Sequence, residues 1–444
     1  MFSNKKIFVL GMGRSGSEIA KFLIKKGNKI TINDFKEDEK LEKELYSLGI
    51  TVCTGSHPDD LFDNSFDYLI KNPGIRNDHQ YVIKAHEFNI PVINDIELLA
   101  YFLKPTNKII GITGSNGKTT VTTLVYQILK AAKLPVHLGG NIGIPVGKII
   151  ENVRPEDILV LEISDHQLAN TDKFKTNISV LTNVSKTHLD FWDNSYGKYQ
   201  QAKKKIFNYH AAADIAIINL DNADSINLTK DILSTKKYFS RYQQTDCYLE
   251  NNIIYYQNEA ILNINELKIV GNHNYENMMS AILVAKLFAI DNNIIKNELV
   301  NFLGIEHRLE FVGEINHRKI YNDSKSTNNE ATITALKSFK VPVILIMGGL
   351  NRGQDFKDLA SYMTNVKEVI CYGENSPFIM ADMQAINIKC QKVDTLNEAV
   401  PLAYCNSDHG DVILLSPASA SWDQFTTFEE RGQLFKKIVE KLAV

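Results

Sequence analysis

Little in this chain points to an oxidising compartment, a bilayer or a polyanion. Its five cysteines (Cys53, Cys247, Cys371, Cys390 and Cys405) are scattered, odd in number and without a CxxC pair, which fits a reduced, cytoplasmic protein. No apolar run approaches the roughly 20 residues that a membrane span needs. The start, MFSNKKIFVLG, carries an apolar stretch of only four residues before a glycine, so no signal peptide is expected there. A net charge of −3 with a pI near 6.4 offers no electrostatic reason to expect nucleic acid or an anionic membrane as partner. What is left is an ordinary globular composition, 44% hydrophobic and 23% charged. At roughly 150 residues per domain, this length predicts about three domains.

Against that plain background stand the residues Gly111 to Thr120, GITGSNGKTT. The apolar run KII precedes them and VTTLVYQILKAA, with apolar residues at helical spacing, follows; the pattern is strand, glycine loop, helix. Such a loop lets the backbone N–H groups of Gly114, Ser115, Asn116 and Gly117 converge on a phosphate, and the helix N-terminus adds partial positive charge. Lys118 is placed to reach the terminal phosphates of ATP, and the hydroxyl of Thr119 or Thr120 can ligate Mg²⁺. Ile112 stands where the usual P-loop has its first glycine, so the spacing is a variant one.

KKIFVLGMGRSGSEIAKFLIKKG opens the chain as a second strand–turn–helix, with Gly11, Gly13 and Gly16 in GxGxxG spacing. The strand KITIND then ends on Asp34, where a Rossmann fold meets a ribose or base. The motif alone does not choose the nucleotide: NAD is the default, and a uridine nucleotide would use the same turn. Asn72, Pro73 and Gly74 end a further strand and could face the same phosphate as Gly13, or form a plain Pro-Gly turn. Pro105 and its polar neighbours read as a linker.

In the middle of the chain, GGNIG brackets Asn141 with glycines, and the apolar strand DILVLEIS delivers Glu162, Ser164 and Asp165 at its far end. A carboxylate there, beside a P-loop, is what Mg²⁺ with its preference for hard oxygen ligands needs. NISVLTNV points Asn183, then His188 and Asp190, toward the same edge. Composition cannot choose among Lys203, Lys204 and Lys205 and treats all three as a solvated face. Asn274 and Asn277, one turn apart, can frame an adenine or cap their helix. Beyond Gly304 a βαβ rhythm predicts a mostly parallel sheet with Asp323, Lys325 and Ser416 to Ser421 at strand C-termini. A lysine near a helix N-terminus, as Lys325 is expected to be, is unfavourable unless an anion sits beside it.

GITGSNGKTT, GGNIG, the LEIS strand, NVSKTHLD, QAKKK, GNHNYENMMSA, EHRLE, NDSKSTN and LLSPASASWDQF follow one another over essentially all 444 residues. In that order they resemble the Mur ligases of peptidoglycan precursor synthesis, and among them the branch that adds D-glutamate. The resemblance implies an α/β protein of three domains: a Rossmann-like UDP-sugar domain over 1–105, a central P-loop ATPase domain with a mostly parallel sheet over 106–303, and a Rossmann-like amino-acid domain over 304–444. It implies cofactors ATP and Mg²⁺, a role in cell wall biogenesis, cell shape and division, and a monomer acting on small molecules, UDP-N-acetylmuramoyl-L-alanine and D-glutamate.

Carried over residue by residue, Lys118 and Thr119 hold ATP, while Thr119, Glu162, His188 and Lys203, the last as a carbamate, hold the metal. Asn274 and Asn277 face adenine, and Arg308 and Asp323 contact the nucleotide. Gly13, Arg14, Ser15, Asp34, Asn72, Pro73, Gly74, Asn141 and Ser164 hold the UDP-sugar. Lys325, Thr327, Ser421 and Phe428 hold D-glutamate. Two departures stand out: Asp165 and His166 replace a usual serine and phenylalanine, and Arg352 stands in a loop where some relatives carry a lysine. Three rivals remain open at this point: a folylpolyglutamate synthetase, an NAD-dependent oxidoreductase and an ATP-hydrolysing regulatory protein.

Overall fold

A computed structural model describes residues 2–187 and 189–442. The chain divides into two compact units, one of residues 1–264 with 276–298 and one of residues 265–275 with 299–444.

The first unit holds two sheets. The smaller has five parallel strands in the order Thr51–Thr54, Lys29–Asp34, Lys6–Leu10, Tyr68–Lys71, Val92–Ile93. Strand order turns back at Lys6–Leu10, which opens a crevice at the C-terminal ends of that strand and of Tyr68–Lys71. The helix Arg14–Lys25 follows Lys6–Leu10 at once and buries Ile19, Ala20, Phe22 and Leu23. Its apolar residues recur at three- and four-residue spacing, so one face meets the sheet.

The larger sheet has nine strands. Neighbours run parallel from Cys247–Glu250 through Thr235–Ser240, Ile215–Asn219, Ile178–Leu181, Lys108–Thr113 and Ile158–Glu162 to Val136–Gly140. Ile253–Tyr256 and Glu259–Asn263 extend it as antiparallel hairpin strands. Ile158–Glu162 and Ile178–Leu181 are buried at every residue, as expected of central parallel strands covered on both faces.

The second unit carries six strands in the order Glu310–Ile315, Arg318–Asn322, Val412–Leu415, Val343–Gly348, Val366–Tyr372, Cys390–Lys392. Only the first pair is antiparallel. Alternation along Val343–Gly348 splits the core: Leu345 and Met347 pack with Phe356 and Leu414 on one face, Ile344 and Ile346 with Ile370 and Phe435 on the other. The chain is thus an α/β protein built on three mostly parallel sheets. The helix Ser376–Ala385 escapes sequence patterning: its Phe378 is exposed while Ile379 and Met383 are buried, so its apolar residues do not keep to one face.

Candidate active site

The P-loop strand Lys108–Thr113 lies between two others, with Ile112 opposite both Glu162 and Val180. Everything that leaves the C-terminal ends of these strands therefore meets at the loop. Ser115 Oγ shares a hydrogen with the Tyr199 hydroxyl (2.7 Å) and accepts from Ser185 N–H (2.8 Å), while Asn116 N–H donates to Asn183 Oδ1 (3.0 Å). Lys118 folds back over the loop, its Nζ donating to the carbonyls of Gly114 (2.8 Å) and Ser115 (2.9 Å). Gly117, at φ +83°, caps the helix Lys118–Ala131, and a methyl there would lie 2.3 Å from Asn277 Oδ1. Asn277 thus rests against the loop. Thr119 and Thr120 sit half-buried on the helix's first turn.

Glu162 is buried at the end of its strand, one carboxylate oxygen accepting from Asn141 Nδ2 (2.8 Å). Its other oxygen, Oε2, is buried with no hydrogen-bond partner. A buried carboxylate oxygen left that way is costly, and a hard cation beside the P-loop would relieve it. The donor set fits Mg²⁺ on this count. Among the described residues no three His, Cys, Asp or Glu side chains gather into a metal cluster; His188 lies outside the described residues.

The fold distinguishes the three lysines that composition could not. Lys204 pairs with Asp231 (2.6 Å) and Lys205 donates to the Ala169 carbonyl (2.6 Å). Lys203 is fully buried, donates to the Gly114 carbonyl (2.9 Å), lies 4.6 Å above the Tyr199 ring and stands 3.4 Å from Asp165 Oδ1. Burial, helped by the Lys118 charge, lowers its pKa to about 7 in spite of Asp165. Asp165 also accepts from Trp192 Nε1 (2.8 Å). Burial pushes its carboxyl up, but the Lys203 and His166 charges and the Trp192 bond outweigh that and hold it below the ordinary range. The His166 ring stacks on Phe191 at 3.8 Å.

At the edge of the five-stranded sheet, Asp34 closes the glycine turn, accepting from Met12 N–H (2.6 Å) and Lys36 N–H (2.9 Å). Asn72 packs on that turn: its Cβ lies 2.8 Å from where a Cβ on Gly11 would sit, and its Oδ1 accepts from Gly74 N–H (3.0 Å). Pro73 is half-buried between them. The structure thus brings Asn72, Pro73 and Gly74 to the turn that ends in Gly13. Arg14 Nη2 donates to the Gly143 carbonyl (2.7 Å), which ties this edge to the nine-stranded sheet, and Ser15 Oγ donates to Asp95 (3.0 Å). Ser164 caps the short helix Asp165–Ala169 through a reciprocal box with Gln167. Burial pushes the Asp95 carboxyl above its ordinary range, against the hydrogen bonds from Gln167 and Ser15.

In the second unit, Asn274 donates to the Val270 carbonyl (2.6 Å). Asp323 accepts from Leu309 N–H (3.1 Å), Ser326 Oγ (2.5 Å) and Ser416 Oγ (2.8 Å), and burial raises its pKa to about 6 against those bonds. Arg308 is exposed nearby in sequence, and its charge favours the ionised Asp323. Lys325 is brought to Phe428, its Nζ 5.1 Å from the ring, and Thr327 is half-buried. Ser421 Oγ is buried without a partner, and Arg352 stacks on the neighbouring Trp422 at 4.5 Å.

Sequence reasoning missed several buried ionic residues, Asp95 and Arg431 among them. Asp95 reads as an ordinary acidic helix start, and nothing local marks its burial. Arg431 is fully buried and donates to Ser324 Oγ (2.9 Å), the Ser324 carbonyl (2.7 Å) and the Ser419 carbonyl (3.1 Å). A signal for it existed: Arg431 lies three residues after Phe428 and four before Phe435, on the apolar face of its helix.

Three family models match the chain: Mur ligase MurD-like, N-terminal domain over residues 5–94; Mur ligase middle domain over 112–285; and Mur ligase, glutamate ligase domain over 307–419. The chain is 41% identical over 449 residues to the UDP-N-acetylmuramoylalanine–D-glutamate ligase of Latilactobacillus sakei, covering 99% of this chain and 98% of that protein. It is 42% identical over 447 residues to the ligase of the same name from a Geobacillus strain, with the same coverage. Among solved structures it resembles the UDP-N-acetylmuramate-alanine ligase MurC of Thermotoga maritima, with TM-score 0.61, 18% identity and coverage of 99% and 100% of the two chains. MurF of Acinetobacter baumannii gives the same TM-score at 16% identity, with coverage of 92% and 91%. At these identities the structural likeness speaks for the fold.

Proposed function

Because the chain belongs to the Mur ligase family, we propose that it is the ATP-dependent ligase that joins D-glutamate to UDP-N-acetylmuramoyl-L-alanine in peptidoglycan precursor synthesis. The observation that carries the chemistry is Glu162: a buried carboxylate beside the P-loop strand with one oxygen left unpartnered. Thr119, Glu162 and Lys203 as a carbamate, with His188, would hold Mg²⁺, which supplies charge neutralisation at the phosphates when bound. Residues 1–105 bind the UDP-sugar, 106–303 bind ATP and 304–444 bring the amino acid. The protein works in the cytoplasm as a monomer; no described helix is long and apolar enough to cross a membrane.

A carboxylate is a poor acylating agent, so an amide bond in water requires activation. The loop Gly114–Gly117 grips ATP through backbone N–H groups, and Lys118 follows the charge as the γ-phosphoryl group passes to the terminal carboxylate of the UDP-sugar. Gly13, Arg14, Ser15, Asp34, Asn72, Pro73, Gly74, Asn141 and Ser164 orient that substrate. Asn274, Asn277, Arg308 and Asp323 hold the nucleoside. Lys325, Thr327, Ser421 and Phe428 present D-glutamate, whose amine attacks the acyl phosphate, expels inorganic phosphate and leaves the amide and ADP.

A substrate-omission assay tests this reading: phosphate release requires ATP, UDP-N-acetylmuramoyl-L-alanine and D-glutamate together. Release indifferent to D-glutamate would refute it. Lys203→Ala should lose turnover, keep ATP binding and recover in part with formate or acetate; full activity would return the lysine to a solely structural role.

A further inference from the structure

Asp95 stands between the two sheets of the first unit and is 4% exposed. Its Oδ2 accepts from Ser15 Oγ (3.0 Å), and Gln167 Nε2 donates to both of its oxygens (3.2 and 3.4 Å). Carboxylate oxygens accept, so the NH₂ end of Gln167 must face Asp95 and its carbonyl must face the other way. There Gln167 Oε1 accepts from Ser164 N–H (3.1 Å) and from Ser164 Oγ (3.3 Å). One carboxylate thereby sets the hydrogen-bond direction of two serines, one in the first turn of the helix Arg14–Lys25 and one capping the helix Asp165–Ala169. A separate contact does the docking: Glu97, also buried, accepts from the backbone N–H groups of Asp172 (2.9 Å), Lys173 (2.8 Å) and Phe174 (3.0 Å).

We propose that Asp95 is a positioning residue for the nucleotide-sugar: through Gln167 it locks the Ser15 half-site of the first sheet to the Ser164 half-site of the second. This rests on the reading above that both halves hold the UDP-sugar. Free UDP, held at the glycine turn, is indifferent to the lock; a ligand that continues into a sugar and an acyl chain spans both halves and requires it.

Calorimetric titration of UDP and of UDP-N-acetylmuramoyl-L-alanine tests the idea on four variants of the full chain. In Asp95→Asn the new amide competes with Gln167, and Gln167→Met removes the relay while keeping volume. Each should weaken the full substrate about 10–100-fold, the equivalent of one buried unsatisfied polar group. Each should leave UDP affinity and the ATP KM within about twofold. Asp95→Asn/Gln167→Glu restores the direction of the relay and should recover most of the loss. Glu97→Gln should lower the melting temperature without changing the ratio of the two affinities. Equal loss of UDP and full substrate, no loss in either single variant, or a double variant no better than Asp95→Asn would overturn the proposal. Wild-type protein that binds neither ligand would instead overturn the proposed function.

Discussion

Replacing Gly140 with alanine should damage stability and catalysis by different routes, and the structure sets both amounts. Gly140 ends Val136–Gly140 at φ +92° and lies opposite Glu162 in parallel register. A Cβ there would sit 2.2 Å from the Glu162 carbonyl oxygen, 3.1 Å from its carbonyl carbon and 3.2 Å from its nitrogen. All three atoms are backbone, so no side chain can swing aside. The left-handed conformation costs an L-residue about 1–2 kcal/mol. Loss of the bond from Asn141 N–H to the Glu162 carbonyl (2.9 Å) adds ~1 kcal/mol, giving about 2–3 kcal/mol in all. For a domain of this size that lowers Tm by roughly 5–10 °C. Relief of the contact must push the end of the Glu162 strand, and a displacement of about 1 Å at a reacting site costs on the order of 100-fold in kcat. Gly49 is the control, at φ +82° with nothing within 4 Å of its Cβ position. Gly49→Ala should carry the conformational cost alone and keep full kcat. Differential scanning fluorimetry and phosphate release read the two effects. Gly140→Ala with wild-type Tm and kcat within about threefold, against the loss of order 100 expected here, would refute the reasoning, as would Gly49→Ala proving equally inactive.

Glu162→Gln should raise the Mg²⁺ concentration needed for half-maximal phosphate release at least about tenfold, because it removes the unpartnered anionic oxygen. Arg431→Met leaves the buried carbonyls of Ser324 and Ser419 without donors and should cost about 2–4 kcal/mol, read as a lower urea midpoint. His210 is buried with Thr176, Ser179 and Ser234 on its ring nitrogens, and burial lowers its pKa to about 4. The unfolded chain takes up this proton near pH 6.5 and the folded chain refuses it, so the stability is complete above about 6.5 and lost as pH falls toward 4. The loss reaches about 3 kcal/mol; urea midpoints at pH 7 and pH 5 should diverge in wild type and less in His210→Gln.

Some of this was settled by the chain's local chemistry. GITGSNGKTT between an apolar strand and an amphipathic helix can make little other than a phosphate loop, since positive φ at Gly117 and the helix start are dictated within ten residues. The alternation of apolar strands and helices likewise sufficed for the mostly parallel sheet of the C-terminal third. Arg431 was legible in principle, from its place on the apolar face of the last helix.

Other features depend on which strands become neighbours, and no local pattern holds that information. Lys203, Lys204 and Lys205 are alike in sequence; one is buried on the Gly114 carbonyl because its helix lands on the P-loop, and the other two meet Asp231 and Ala169. Asp95 and Gln167 are 72 positions apart and meet only because the helix Asp95–Phe102 packs against the helix Asp165–Ala169 within one unit. Burial then decides the chemistry: water removed from a lysine or a carboxylate changes its charge preference and leaves its direction of hydrogen bonding no alternative. Backbone sterics and periodicity act over a turn or a strand, whereas desolvation is conferred by the whole fold.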